Sequence, residues 1–137
     1  EIAPYPFTTK GIVIGHMDDD WRKYQIIDTP GLLDRSIDER NAIEKQAILA
    51  LRYLTNVMII VIDPSETCGY SMEKQLALLD SIKRGFEGIP IIVAESKSDI
   101  MTTDSDNIHF SAETGENMDI LRKTIVDELR KIRFEEE

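Results

Sequence analysis

Four short stretches carry residue types whose spacing could hold a phosphorylated ligand. Asp28-Thr29-Pro30-Gly31 directly follows the apolar pair Ile26-Ile27. A carboxylate at such a strand end can hold Mg²⁺ through water, and a glycine N–H can reach a terminal phosphate because no Cβ blocks the approach. An ordinary strand-to-loop turn would look the same. Ser96-Lys97-Ser98-Asp99 comes at the end of the apolar run Pro90–Ala94. An Asp there can accept two hydrogen bonds from the N1 and N2 edge of a guanine, with the lysine stem along the ring. A polar loop leaving a strand is the plainer alternative. Phe110-Ser111-Ala112, with Thr114 and Gly115, is built of residues small enough for a backbone N–H to approach a guanine O6. Tyr5-Pro6-Phe7-Thr8-Thr9 places threonines on a segment that could ligate Mg²⁺, sense a third phosphate and let go after hydrolysis. An extended Pro-containing segment is its alternative.

Hydrophobic patterning supplies the elements that must position these stretches. Gly11–His16 reads as a strand, Met17–Asp20 as an Asp-rich turn and Tyr24–Asp28 as the returning strand of an antiparallel hairpin. Ser36 with Glu39 matches a capping box, and Ile43, Ala47, Leu51 and Leu54 fall on one helical face. Val57–Ile62 is apolar at every position, as in a strand buried on both faces. A second helix starts near Ser71, with Met72, Leu76, Leu79 and Ile82 on one side. Pro90–Ala94 is the next buried strand and Ile108–Phe110 a short fourth apolar segment. The last helix lines up Met118, Leu121, Ile125, Leu129 and Ile132.

The predicted order is therefore β-β-α-β-α-β-β-α, which implies an α/β fold: a mostly parallel, doubly wound sheet with helices on both faces and one antiparallel hairpin. Ligands on such sheets bind beyond the carboxyl ends of the strands. Asp28, Asp63, Lys97 and Ser111 each follow an apolar run, so the polar residues fall at those ends.

Composition narrows the function classes. The 137 residues fit one domain, and 42% hydrophobic content excludes a disordered or fibrous chain. No apolar run approaches the roughly 18 residues of a membrane span. No basic-then-apolar leader marks secretion. The single cysteine, Cys68, can form no internal disulfide and is too few for a cysteine metal site, so a reducing, cytoplasmic setting is expected. A net charge of −10 argues against direct nucleic-acid binding by this stretch.

Together the four stretches occur in the order and context of a Ras-like GTPase. The chain closely resembles the Obg-like GTPases, and within them the nucleolar GTP-binding protein (Nog) group, which includes archaeal members. The resemblance is carried by Ile2–Gly11, Asp28-Thr29-Pro30-Gly31-Leu32-Leu33-Asp34-Arg35 and, most specifically, Asp63-Pro64-Ser65-Glu66-Thr67-Cys68-Gly69-Tyr70. It covers essentially the whole chain. It implies a P-loop GTPase fold, binding of GTP or GDP with Mg²⁺, slow hydrolysis and a role in large ribosomal subunit assembly through regions outside this stretch. By position, Thr9 (or Thr8) resembles the switch threonine on Mg²⁺ and the γ-phosphate. Asp28 resembles the carboxylate that reaches Mg²⁺ through water, and Gly31 the γ-phosphate sensor. Ser96, Lys97, Asp99, Ser111 and Ala112 take the places of the guanine-binding residues. No residue is named as the catalytic group.

Three departures follow from that resemblance. The phosphate loop G-x-x-x-x-G-K-[ST] occurs nowhere in the sequence, and no glycine is followed by lysine. In the family that loop precedes the switch segment, so residues 1–137 are expected to be a single GTPase domain truncated at its N-terminus, without the first strand, phosphate loop and first helix. Circular permutation does not account for it, because the loop does not reappear after Ser111. The absent strand would lie between the hairpin and Val57–Ile62. An unpaired buried backbone group costs about 1–3 kcal/mol, against a total stability of about 5–15 kcal/mol. The chain is therefore expected to rearrange, to pair with another copy, or to be unstable. Second, Ser96 stands where the family has Asn, which weakens the expected guanine contact. Third, Leu32 cannot orient water as a glutamine would.

Other residues carry less. His16 and His109 lie on strands without a second ligand and read as packing or edge residues. Trp21 follows the acidic turn and reads as a hairpin cover or a contact. Two other function classes compete: a nucleotide-free GTPase-like interaction module, favoured by the absent loop, Ser96 and Leu32, and a phospho-acceptor receiver domain. The latter needs acids clustered after the first strand, whereas Asp18–Asp20 are placed in a turn.

Overall fold

The computed structural model describes residues 13–19, 22–28 and 41–136. The elements are β1 (Val13–Asp19), β2 (Arg22–Asp28), α1 (Ala42–Leu54), β3 (Met58–Ile62), α2 (Met72–Gly85), β4 (Ile91–Glu95), β5 (Ile108–His109) and α3 (Met118–Glu136). Their order is the one read from the sequence. The chain divides into two compact units, residues 1–54 and 55–137.

In the first unit β1 and β2 pair antiparallel, from Val13 opposite Asp28 to Asp19 opposite Arg22. The strand is longer than its apolar residues suggested. Met17, Asp18 and Asp19 continue the ladder where the sequence reading had a turn. The register places Asp18 opposite Lys23 and Asp19 opposite Arg22. On α1 the buried residues are Ala47, Ile48 and Leu51. Ile43 and Leu54, expected on the same buried stripe, are exposed near the two ends of the helix. The capping box at Ser36 and Glu39 lies outside the described residues.

In the second unit β3, β4 and β5 form a parallel sheet in that order. The Ile- and Val-rich sequences of β3 and β4 suit a pleated, half-buried surface. Ile92, Ala94, Phe110 and Leu121 form the core, with Val57, Ile108 and Ile125 packed against it. Thus α3 covers β4 and β5. The α2 helix lies against β3 and buries Leu79 and Ile82, followed by Phe86 at its C-cap. It starts where expected, because the Ser71 side chain accepts a hydrogen bond from the Lys74 N–H at 3.2 Å. Leu76, expected on the buried side, is exposed. So is Met118 at the start of α3, while Val126 is buried.

β3 departs from the two-face burial predicted for it. Ile62 is buried, but Ile59 and Val61 are exposed, Val61 by 55%. Among the described residues β3 is an edge strand, with β4 on one side only. Ile59 and Val61 stand at alternate positions, so they share one face of the strand. The connection from Asp99 to Ile108 carries no helix, in line with its short length.

Candidate functional site

The carboxyl ends of three parallel strands bring together most of the residues picked out for guanine binding. Asp63 follows β3, Ser96–Asp99 follow β4, and Ser111–Ala112 follow β5.

The β4 and β5 ends are tied together at several points. The Ser111 hydroxyl donates to Asp99 Oδ1 at 2.8 Å. The Ser98 N–H donates to the Phe110 carbonyl at 3.0 Å, and the Ser98 hydroxyl donates to the Glu116 carboxylate. Ser111 is fully buried. Its N–H donates to the Glu116 carbonyl, its carbonyl accepts from Gly115, and its hydroxyl accepts from the Thr114 N–H at 3.1 Å. Gly115 has φ +83°, a left-handed conformation that glycine adopts without steric cost and that closes this turn. The loop 111–116 is therefore a rigid frame that fixes one oxygen of Asp99. Oδ2 of Asp99 has no partner among the described residues, and the residue is exposed. Ala112 is exposed beside it. A carboxylate fixed through one oxygen and open through the other can accept hydrogen bonds from a ligand edge.

Lys97 stands in left-handed backbone, φ +58°, which is uncommon for a residue with a Cβ and clusters at functional sites. Its carbonyl accepts from the N–H groups of Ile100 and Met101, which turn the chain after the Ser96–Asp99 stretch. Its ammonium donates to Asp63 Oδ2 at 2.9 Å and to the Thr67 hydroxyl. Asp63 is almost fully buried. Burial alone would push its carboxyl up. Hydrogen bonds from Ser65, Lys97, Cys68 and Thr67 overcome that and hold it well below the usual carboxylate range.

Ser96 is turned inward. Its N–H donates to the Ile62 carbonyl at 2.8 Å and its hydroxyl to the same oxygen at 3.2 Å. The short side chain is thus engaged with β3.

Two features went unpredicted. Asp63 was recognised only as a strand-end acid within a family string, and its grip on Lys97 spans 34 residues of sequence. Glu95, the last residue of β4, was not singled out at all. Its buried carboxylate accepts from Thr103 at 2.8 Å, from Ser105, and from Asn107 at 3.1 Å, with His109 Nδ1 at 3.5 Å. These bonds pin the 99–108 connection to the sheet. Burial raises the Glu95 carboxyl, but those hydrogen bonds outweigh it and the group lies below its ordinary value. The available signal was an acid on a buried strand followed by a loop rich in hydroxyls and amides. His109 also sits 3.1 Å from the Ser105 carbonyl, which makes it part of this frame.

Thr8, Thr9 and Gly31 lie outside the described residues. Asp28 is the last residue of β2, opposite Val13. Among the described residues no group of three or more His, Cys, Asp or Glu could hold a metal ion. No described helix is long and apolar enough to cross a membrane.

The chain is similar to a set of named proteins. The family model for nucleolar GTP-binding protein 1 (NOG1) matches residues 42–99. Nucleolar GTP-binding protein 1 of Drosophila melanogaster is 48% identical over 102 residues, covering 74% of this chain and 16% of that protein. An uncharacterised protein of Methanocaldococcus jannaschii is 54% identical over 101 residues, 74% of this chain and 27% of that protein. The Encephalitozoon cuniculi nucleolar GTP-binding protein 1 is 37% identical across 98% of this chain and 28% of its own length. The chain thus spans between a sixth and just over a quarter of these relatives. The crystal structure of a Plasmodium falciparum protein described as nucleolar GTP-binding protein 1 superposes with a TM-score of 0.77 at 34% identity, over 91% of this chain and 73% of that one. The fold is accordingly the α/β fold of that GTP-binding protein.

One expectation is overturned. The relatives are named nucleolar, which points to the nucleolus rather than to the cytoplasm. A lone cysteine indicates a reducing compartment, and the nucleus and cytosol are alike in that. Identity above 30% to a solved relative, matched over most of both chains, settles the kinship: the chain belongs to the nucleolar GTP-binding protein 1 family.

Proposed function

We propose that this chain forms the base-reading part of a guanine-nucleotide site, within one GTPase domain that spans residues 1–137. Asp99 accepts from the N1 and N2 groups of guanine, the Lys97 stem lies along the ring, and Ser111 and Ala112 form the wall near O6. Ser96 takes the place of an amide and contributes less. The observation that carries this reading is the Asp99 carboxylate, fixed by buried Ser111 through Oδ1 and open through Oδ2.

Mg²⁺ belongs to the same proposal. Thr9, or Thr8, would ligate it and Asp28 would reach it through water, while Gly31 would donate its N–H to a terminal phosphate. The ion would neutralise charge on the phosphates. The whole protein would hydrolyse GTP, with water placed by a group other than Leu32, and would act in large ribosomal subunit assembly. Contact with RNA would fall to regions outside this acidic stretch.

Parallel titrations with Mg²⁺·GDP and Mg²⁺·ADP, on this chain and on the full-length protein, test the proposal. Preference for GDP by the full-length protein supports it; equal binding, or none, contradicts it. A nucleotide-free interaction module is the second reading. It is favoured by the Ser96 hydroxyl, which is engaged with Ile62 rather than open to a ligand. Absence of binding by both proteins is its signature.

A further inference from the structure

The loop from Asp63 to Tyr70 is a densely hydrogen-bonded segment of the second unit that the base-reading account leaves unused. Both oxygens of the Asp63 carboxylate are saturated. Oδ1 accepts from the Ser65 N–H at 3.0 Å and the Ser65 hydroxyl at 2.6 Å. Oδ2 accepts from the Thr67 hydroxyl at 3.1 Å, the Cys68 N–H at 2.8 Å and the Lys97 ammonium at 2.9 Å. Gln75, on α2, clasps the loop from outside. Its Oε1 accepts from the Asp63 N–H at 2.7 Å, and its Nε2 donates to the carbonyls of Asp63 and Tyr70 at 2.8 and 3.0 Å. Glu66 takes the left-handed conformation, φ +63°, that the tight turn demands.

The Oδ2 side of this network holds one cation. The Lys97 ammonium is shared between Asp63 Oδ2 and the Thr67 Oγ1. The pair joins the ends of neighbouring strands, since the Ser96 N–H already bonds the Ile62 carbonyl at 2.8 Å. A lysine stem left free samples many rotamers, and ordering it on binding costs entropy. Here the head is anchored before any ligand arrives. The anchoring also neutralises it: an ammonium already paired with a buried carboxylate attracts an anion weakly, while its methylene stem still offers an apolar rail.

We propose that Asp63 and Thr67 are positioning residues that hold the Lys97 stem in place for a flat, uncharged purine ring, so that the 63–70 loop sets base affinity without touching the ligand. This rests on the guanine reading given above. It adds a role for residues that would not contact nucleotide, and it assigns the lysine's charge to the protein rather than to a phosphate. Affinity at this subsite should then depend on the geometry of the clamp.

The test is a double-mutant cycle in the full-length protein, with GDP affinity and thermal melting both read. Thr67 is exposed, so Thr67→Val removes the hydroxyl without disturbing a core. It should weaken GDP binding about tenfold, the loss of one hydrogen bond to a charged group. Thr67→Ser should restore it. In a Lys97→Ala background, Thr67→Val should have no further effect. Wild-type affinity in Thr67→Val overturns the proposal. So does an equal loss with and without Lys97, which would mark Thr67 as merely structural. Asp63→Asn is the more severe variant; should it not fold, the Thr67 series still decides. Unchanged GDP binding in Lys97→Ala would instead defeat the guanine reading itself, and the clamp with it.

Discussion

The Ser111 hydroxyl donates to Asp99 Oδ1 across 2.8 Å, so a fully buried residue after β5 fixes an exposed carboxylate after β4. The two side chains come from strands that carry adjacent parts of one sheet edge. The Asp supplies recognition chemistry and the Ser supplies direction.

Ser111→Ala tests that division. The variant removes a buried hydroxyl that also accepts from the Thr114 N–H. It should lower stability by about 0.5–1.5 kcal/mol, the net worth of a hydrogen bond lost from the buried hydroxyl. GDP affinity should fall as well, since Asp99 loses its brace. Chemical denaturation and nucleotide titration together check it, and a stability loss without an affinity loss would detach Ser111 from the site.

Ser96→Asn should move affinity in the other direction. The serine hydroxyl reaches only the Ile62 carbonyl, whereas an amide is longer and carries both donors and an acceptor. Tighter GDP binding in the full-length protein is the expected outcome. No change would show that position 96 lies outside the site.

Acid should destabilise the chain through Asp63 and Glu95. Both carboxyls lie below their ordinary values of 3.8 and 4.5 in the folded protein. Their contribution is therefore fully present above the unfolded-state values and is lost as pH falls below about 4 toward the folded ones. Glu95→Gln should flatten the acid limb of a stability-versus-pH curve and lower the plateau at neutral pH. A limb of unchanged steepness would assign the acid sensitivity to other carboxylates.

The exposed outer face of β3 predicts association. Ile59 and Val61 present apolar side chains on an edge strand among the described residues. Val61→Lys places a charge where unpaired strands are usually protected. The substitution should reduce concentration-dependent light scattering without lowering the melting temperature. Equal scattering by both proteins would mean that β3 is covered.

How much of this could be read in the sequence depends on the range of the interactions. The order of the eight elements follows from local periodicity, and the start of α2 follows from Ser71 alone. Asp99 and Ser111 were found because their residue types recur in one family's order. The end of β1 was misplaced, because Asp18 and Asp19 stand in an Asp run that reads as a turn until their register opposite Lys23 and Arg22 is known. Ile43, Leu54 and Leu76 sit on the right helical faces but are not covered, since periodicity gives the face and not its partner. The Asp63–Lys97 pair and the Glu95 network join residues distant in sequence or hidden in an apolar run. Nothing local to either residue announces the other.

The most direct test of the guanine site is an exchange of its ligand. Asn at position 99 offers one donor and one acceptor in place of two acceptors. Xanthine presents an oxygen where guanine has its amino group, so Asp99→Asn should bind Mg²⁺·XDP better than the wild type does. It should also lose Mg²⁺·GDP by about a hundredfold, as one hydrogen bond to a charged acceptor is replaced by two facing donors. Measured in the full-length protein, that exchange of preference is the predicted result. Undiminished GDP binding by Asp99→Asn would contradict the assignment of the base-reading site.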